Sequence, residues 1–365
     1  MPSQVVTKSA LSQARKQLSH TAFTALNRQV VDYYYTHHDS LKTWREHRLC
    51  AIDGSQLRVP NTPDITDTFG VLPGKPGVKD CSMALASVYF DVLNHISIDA
   101  SINATKASER DCAAEHLEHA LPNDLTILDR GYNAFWLYAL FSARDQRFCM
   151  RAKINQSLIC KAFAESGERE QIITLKPNKT SVARCKAKGL STLPLRLRLV
   201  RVDLDNEVEV LITNLLDTDS YPVDEFKDLY HLRWGIEENY KRLKQWGEIE
   251  NFSGKSALSV KQDFYAKILS SNLTAMLANA AQDQVNKTIT NRKLPYQINF
   301  AQALSKMKNT IVNWLQLTPH RLRIRIGKMV NYIACTIESV RAGRSYDRPK
   351  SSKNRIFYMA YKRAR

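Results

Sequence analysis

One stretch of this chain sets a single acid among cations at helical intervals. It runs Tyr230-His231-Leu232-Arg233-Trp234-Gly235-Ile236-Glu237-Glu238-Asn239-Tyr240-Lys241-Arg242-Leu243-Lys244. An α-helix advances about 100° per residue, so with Tyr230 at zero, Arg233 falls at about 300°, Glu237 at about 340°, Lys241 at about 20° and Lys244 at about 320°. These side chains share an arc about 80° wide. Leu229, Leu232, Ile236 and Leu243 gather at about 200° to 260°, an adjoining apolar stripe fit for packing. An ordinary solvated face gains about 0.2–0.5 kcal/mol per i,i+4 ion pair and has no need of a phenol. One carboxylate flanked by Arg, Lys and Tyr is instead the donor set of a metal-and-phosphate site. The carboxylate takes the ion, and the guanidinium and ammonium groups take phosphate oxygens. Trp234, next to Arg233, offers a face on which a base can stack.

Two further acids stand in short motifs upstream, Ile52-Asp53-Gly54-Ser55 and Leu128-Asp129-Arg130-Gly131-Tyr132. Each has an ordinary explanation by itself, since Asp-Gly is a common turn and Asp before Arg a local ion pair. Their order ahead of the helix changes the reading. The pattern Y-x2-R-x3-E-x6-K fits Tyr230, Arg233, Glu237 and Lys244 without a gap. It resembles the YREK signature of insertion-sequence transposases of the IS-four family. The Asp53 and Asp129 motifs resemble that family's patterns on the first strand and at the end of the fourth.

The resemblance implies a DDE triad of Asp53, Asp129 and Glu237 holding two Mg²⁺ ions, with Mn²⁺ as a substitute, about 4 Å apart. Asp53 would bridge them, and Asp129 and Glu237 would each complete one shell. Tyr230, Arg233, Lys241, Lys244 and Trp234 would hold DNA. Water would nick a transposon end, and the freed 3′-hydroxyl would attack a second phosphodiester, giving strand transfer into target DNA, with a hairpin as one route. The implied partners are double-stranded DNA, as terminal inverted repeats and as target, and a second copy of the chain in a synaptic homodimer. Relatives carry a helical DNA-end-binding segment ahead of the block that begins here at Lys8, so a truncated form of that segment is one reading of the N-terminus. Hairpin-forming relatives often place a Trp in their insertion, whereas residues 155–221 have only Phe163 and Tyr221 as aromatics. Two readings compete. One is a ribonuclease-H-like nuclease that cuts without joining; the other is a truncated or domesticated transposase that only binds DNA.

The elements must place these acids together. Residues 9–47 read as helical, with Ser9 as a cap. Strand patterns cover 47–59, 83–93 and 96–102, the last two joined by a turn at Asn94-His95. A helix over 106–120, capped by Ser108, a strand over 124–128, a helix over 133–144 and a strand over 148–152 follow. Alternating Leu195-Arg196-Leu197-Arg198-Leu199 and Val208-Glu209-Val210 flank a turn at Asp205-Asn206, a hairpin. A long helix is expected from about 223 to 245, with more helices over 257–285 and 300–315. This order predicts an α/β fold: a ribonuclease-H-like mixed sheet with helices on both faces, a β-strand-rich insertion and helical N- and C-terminal segments. The expected divisions are 1–46, a core over 47–154, an insertion over 155–221, the rest of the core over 222–285 and a C-terminal region over 286–365.

Composition bounds the rest. The chain has 365 residues, 44% hydrophobic, enough for a sizeable core. Its formal charge of +17 favours a polyanionic partner, because phosphate contacts release counterions. The last 25 residues hold nine Lys or Arg against Asp347, interleaved with Tyr346, Phe357, Tyr358 and Tyr361. That suits a phosphate-gripping tail that also stacks on bases, or a solvated end. No apolar run reaches membrane-spanning length, and the N-terminus lacks an apolar signal core. Seven scattered Cys read as reduced thiols, so a cytoplasmic, nucleoid-associated protein is expected. Cys112-x3-His116-x2-His119 lacks a fourth zinc ligand at useful spacing. No Ser-His-Asp motif, P-loop or dinucleotide fingerprint is present.

Overall fold

A computed structural model describes residues 7–38, 40–74, 80–204, 207–288, 293–308 and 310–340. Helices α1 (Lys8–Gln17) and α2 (Thr21–His37) lead to strand β1 (Arg48–Arg58), helix α3 (Pro63–Phe69) and strands β2 (Val71–Leu72), β3 (Cys81–Asp91) and β4 (Ile96–Ala104). Then come α4 (Glu109–His116), β5 (Asp124–Leu128), α5 (Phe135–Ala143), β6 (Arg147–Arg151), α6 (Leu158–Ser166), β7 (Glu170–Leu175), α7 (Lys179–Ala187), β8 (Leu195–Asp203) and β9 (Val208–Thr213). The chain continues through α8 (Phe226–His231), α9 (Trp234–Gln245), α10 (Ala257–Thr288), β10 (Tyr296–Ile298), α11 (Phe300–Lys308), α12 (Ile311–Trp314), α13 (Pro319–Ala334) and β11 (Ile337–Ser339). The fold is mixed α/β, and the chain divides into two compact units.

One unit, residues 40–55 and 85–240, holds the central sheet, with strand order β4-β3-β1-β5-β6-β9-β8-β7. Strands β1, β5 and β6 are parallel neighbours, whereas β9, β8 and β7 continue antiparallel. The middles of the parallel strands are apolar, as strands covered on both faces must be; Leu49, Cys50, Ala51, Leu125, Ile127, Phe148 and Cys149 are fully buried. The expected insertion is strand-rich, and its strands extend this same sheet while α6 and α7 lie between them. The hairpin pairs from Asp203↔Val208 onward, and its turn at residues 205 and 206 lies outside the described residues. At the Asn94-His95 turn the carboxylate of Asp91 accepts the backbone N–H groups of Leu93 and Asn94, and His95 takes the left-handed conformation. These bonds substitute for backbone pairing at the bend.

The other unit comprises residues 1–39, 56–84 and 241–365. Its long helix α10 packs on α2, α11 and α13, around Ala278, Ala281, Val285, Ile298, Ala303 and Ile333. Arg15 ties α1 to α10 by donating to Gln262 (2.7 Å) and Asp263 (2.7 Å), and a buried Asn27–Asn272 bond (2.8 Å) registers α2. Thr7, not Ser9, caps α1, because the helix starts at Lys8. Helix α3 and strand β2, between β1 and β3, carry no periodicity long enough to be read from sequence. The basic tail from Arg341 lies outside the described residues. No described helix is long and apolar enough to cross a membrane.

The helix expected over 223–245 is two helices. Between α8 and α9 the bonds run Arg233 N–H to Tyr230 O (3.1 Å), Gly235 N–H to Leu232 O (3.0 Å) and Ile236 N–H to Arg233 O (3.2 Å). These i→i−3 bonds overwind the chain to about 120° per residue, so the single-helix angles do not carry across the joint. The joint lies against β3's end. A Cβ on Gly235 would stand 3.1 Å from the Cβ of Val92, a closeness that a side chain there would disturb.

Candidate active site

Strands β1 and β5 open on a buried ion pair. Arg48 and Asp124 are register partners. The Arg48 guanidinium donates to both Asp124 oxygens, at 2.7 and 2.6 Å, a bidentate match. Tyr89 Oη (2.6 Å) and the Leu121 N–H (2.9 Å) donate to the same carboxylate. Asp53 stands five residues beyond Arg48, and Asp129 five beyond Asp124. The register Arg48↔Asp124 through Ala51↔Ile127 therefore brings the two acids out level and on the same face.

Each acid is then fixed by a glycine. The Gly54 N–H donates to Asp53 Oδ1 (2.8 Å), and the Gly131 N–H to Asp129 Oδ1 (2.6 Å). A Cβ at Gly131 would stand 2.8 Å from that Asp129 oxygen, and one at Gly54 would stand 2.8 Å from Glu109 Oε1. Glu109, exposed at the start of α4, thus joins the acids. Arg110 beside it donates from Nε to the Gly131 carbonyl (2.8 Å). Burial, then Asp129 and Glu109, push the Asp53 carboxyl up to about 7, against the opposing pull of the Gly54 N–H and Arg233. Burial and Asp129 raise Glu109 as well, with Arg110 opposing. A bound cation would offset both shifts, because it favours the charged carboxylates. Tyr132 Oη is fully buried, has no hydrogen-bond partner, and feels Asp53, Glu109 and Asp129 as its charged neighbours.

The helices bring the rest. Tyr230, on α8, reaches the Leu128 carbonyl with a long contact of 3.4 Å, next to Asp129. Arg233, at the joint, donates to Glu237 Oε1 at 2.6 Å. Burial works against the Arg233 charge, and the Glu237 bond, Tyr230 and Asp53 raise its pKa regardless. Its Nε is buried without a partner. Glu237 is thus held on Arg233, whose guanidinium also interacts with Asp53. Tyr240, one turn further, donates to the Asp53 carbonyl (2.9 Å) and is within 3.1 Å of the Ala86 carbonyl, fastening α9 to β1 and β3. Trp234 is 44% exposed, with the Arg233 Cζ 5.9 Å from its ring centre. Lys241 and Lys244 belong to the other unit. There Lys244 donates to the Gln56 carbonyl (3.0 Å), and burial lowers its pKa against the pull of Glu250.

Among the described residues no three His, Cys, Asp or Glu side chains converge tightly enough to hold a metal ion as placed. Asp53 and Glu109 feel the charge of Asp129, and Glu237 connects through Arg233. The structure also assembles Ser87, His116 and Asp99, at 3.0 and 2.6 Å about the imidazole. Ser87 and His116 are 0% and 1% exposed, so no substrate reaches them and the group is a satisfied polar core. Both ring nitrogens of His116 are thereby engaged, and Cys112 accepts from Asn103 (3.4 Å). Glu109 and Tyr240 are not among the site residues read from the sequence, and Tyr132 enters there only as the end of the Asp129 motif; no periodic signal ties any of them to Asp53.

Residues 44–273 match the family described as the Transposase DDE domain. The chain belongs to the DDE transposase family. It is 25% identical over 330 residues to the Transposase InsG for insertion sequence element IS4 of Escherichia coli (strain K12), covering 87% of this chain and 70% of that one. The resemblance first seen in the YREK spacing is therefore that of an insertion-sequence transposase. The matched segment of this DDE transposase contains Asp53, Asp129, Tyr230, Arg233, Glu237 and Lys244.

Proposed function

We propose that the chain cuts transposon ends and joins them to target DNA, with Asp53, Asp129 and Glu237 as the metal-holding acids on a ribonuclease-H-like core. The observation that carries this is the level emergence of Asp53 and Asp129 from adjacent parallel strands, where burial and then the charges of Asp129 and Glu109 raise the Asp53 carboxyl. The strand order β4-β3-β1-β5-β6, with β1, β5 and β6 parallel, supports the core assignment. An all-carboxylate donor set suits hard divalent cations, Mg²⁺ or Mn²⁺. Two such ions, when bound, activate an attacking hydroxyl and stabilise the leaving oxygen.

The chain's own residues do the positioning. The Gly54 and Gly131 N–H groups each take one carboxylate oxygen and leave the other to a ligand. Tyr240 holds α9, and with it Glu237, to the strand that carries Asp53. Arg233 keeps Glu237 in place, and its unpartnered Nε is a donor for a phosphate oxygen. Tyr230 adds a neutral hydroxyl beside Asp129. Lys241, Lys244 and Trp234 complete the DNA-binding set, the first two as point charges and the Trp as a stacking face. The substrate is double-stranded DNA, as terminal inverted repeats and as target, and two copies of the chain pair the ends. A hairpin is the route by which a single acid set cuts both strands.

The test uses DNA carrying the ends of the element that encodes the chain, with Mg²⁺, scored for nicked, hairpin and joined products. Alanine at Asp53, Asp129 or Glu237 is expected to remove cleavage and spare binding, because metal ligands act as a unit. Arg233→Ala is expected to lose joining more than nicking, since a DNA end mispositioned by about 1 Å costs roughly a hundredfold. Cleavage above about a tenth of wild type in a triad variant would remove that residue from the site. Equal loss of nicking and joining in Arg233→Ala would favour a nuclease that only cuts.

A further inference from the structure

We propose that Glu109 is a fourth acid of this site and adds to the hold of Asp53 and Asp129 on a divalent ion through one of the ion's waters. This rests on the metal-dependent reading above. Glu109 lies 56 positions from Asp53 along the chain, and three independent contacts deliver it. Ser108 caps α4 by accepting the Asp111 N–H (3.3 Å), which fixes where the helix starts. Arg110 Nε bonds the Gly131 carbonyl (2.8 Å), tying that start to the Asp129 turn. The side chain then lies over Gly54, whose missing Cβ would stand 2.8, 2.9 and 3.0 Å from Oε1, Cδ and Cγ of Glu109. Gly54 is outside the left-handed φ range, so this glycine supplies room and not an unusual backbone.

A first-turn acid also complements a helix dipole, so proximity to other acids is not enough. The second observation is Tyr132. Its hydroxyl is completely buried, has no hydrogen-bond partner, and feels the charges of Asp53, Glu109 and Asp129. A buried hydroxyl left unpaired is costly, and a water on an ion among the acids would give the Tyr132 oxygen a donor to accept from. Magnesium keeps several waters and takes only one or two carboxylates directly, so an additional exposed acid has a place at its edge. Glu109 meets that need, being solvent-accessible where Asp53 is mostly covered.

The experiment uses the full chain and Mn²⁺ alone, with free Mn²⁺ counted by electron paramagnetic resonance and melting followed with and without the ion. Asp53→Asn is expected to abolish tight Mn²⁺ binding. Glu109→Gln is expected to weaken it about tenfold and to raise the melting temperature of the metal-free protein, because a like charge has gone. Gly54→Ala keeps every acidic residue but displaces the Glu109 carboxylate, and is expected to weaken Mn²⁺ by a similar factor. Wild-type affinity in both Glu109→Gln and Gly54→Ala, with Asp53→Asn defective, would overturn the role of Glu109 and leave the metal site standing. A lowered metal-free melting temperature in Glu109→Gln with unchanged affinity would make it a helix-start acid only. Equal Mn²⁺ binding by Asp53→Asn and wild type would instead overturn the metal-dependent reading itself.

Discussion

Asp53 stands under two opposed demands. Its strand buries it, and its chemistry needs it charged; the result is a carboxyl pushed up to about 7 by burial, Asp129 and Glu109. The unfolded chain releases that proton near 4. Folding therefore favours the protonated form, and the stability it adds is complete below about pH 4 and is lost as the pH rises through about 7. Without divalent ions, the melting temperature should fall between pH 5 and pH 8 in wild type and fall less in Asp53→Asn. Melts in EDTA across that range decide it, and superimposable profiles would show that Asp53 does not carry the effect. At this scale the sequence was legible where motifs are local. Asp53, Asp129, Arg233 and Glu237 each sit in a run of a few residues with recognisable neighbours. Glu109 and Tyr240 meet Asp53 only through the folded sheet, and no spacing announces that.

The elements convert a register into a site. The buried Arg48–Asp124 pair heads two parallel strands and, with Tyr89 and Leu121, satisfies every oxygen of Asp124. Removing one partner leaves a buried charge, which costs about 3–5 kcal/mol. Arg48→Leu should lower unfolding free energy by about that amount. The double variant Arg48→Leu/Asp124→Leu should lose less than the two single losses combined, because the orphaned charge has gone. Denaturant melts of the four proteins measure the coupling, and simple additivity would show that the pair does not act as a unit. The strands β1, β3, β4, β5 and β6 were readable from apolar runs bounded by turn residues. The α8–α9 joint was not. Its residues keep helical patterning on both sides, and the tightening to i→i−3 bonds arises beside the close contact of Gly235 with Val92.

Across the whole molecule the charge is concentrated. Residues 341–365 hold nine Lys or Arg and one acid, so they carry +8 of the total +17 and leave +9 elsewhere. Deleting them should weaken DNA binding and flatten its salt dependence by about 0.9 in slope for each phosphate that the tail no longer neutralises. Binding isotherms at several salt concentrations give that slope, and an unchanged value would make the tail a passive end. Basic character and class of partner were legible from composition. The division of the chain into two units was not, because each is stitched from segments far apart in sequence, and only tertiary packing defines them.

The equal spans from Arg48 to Asp53 and from Asp124 to Asp129 make the working gene unusually sensitive to length. Loops elsewhere absorb a gained or lost codon, since closing a slightly longer loop is cheap. A codon gained or lost inside either span would keep both acids in the translated sequence and keep the apolar runs. It would still turn one acid to the opposite face of the sheet. Decayed copies of such an element are therefore to be recognised by counting residues between anchor and acid, a measure that similarity scores and motif searches both pass over.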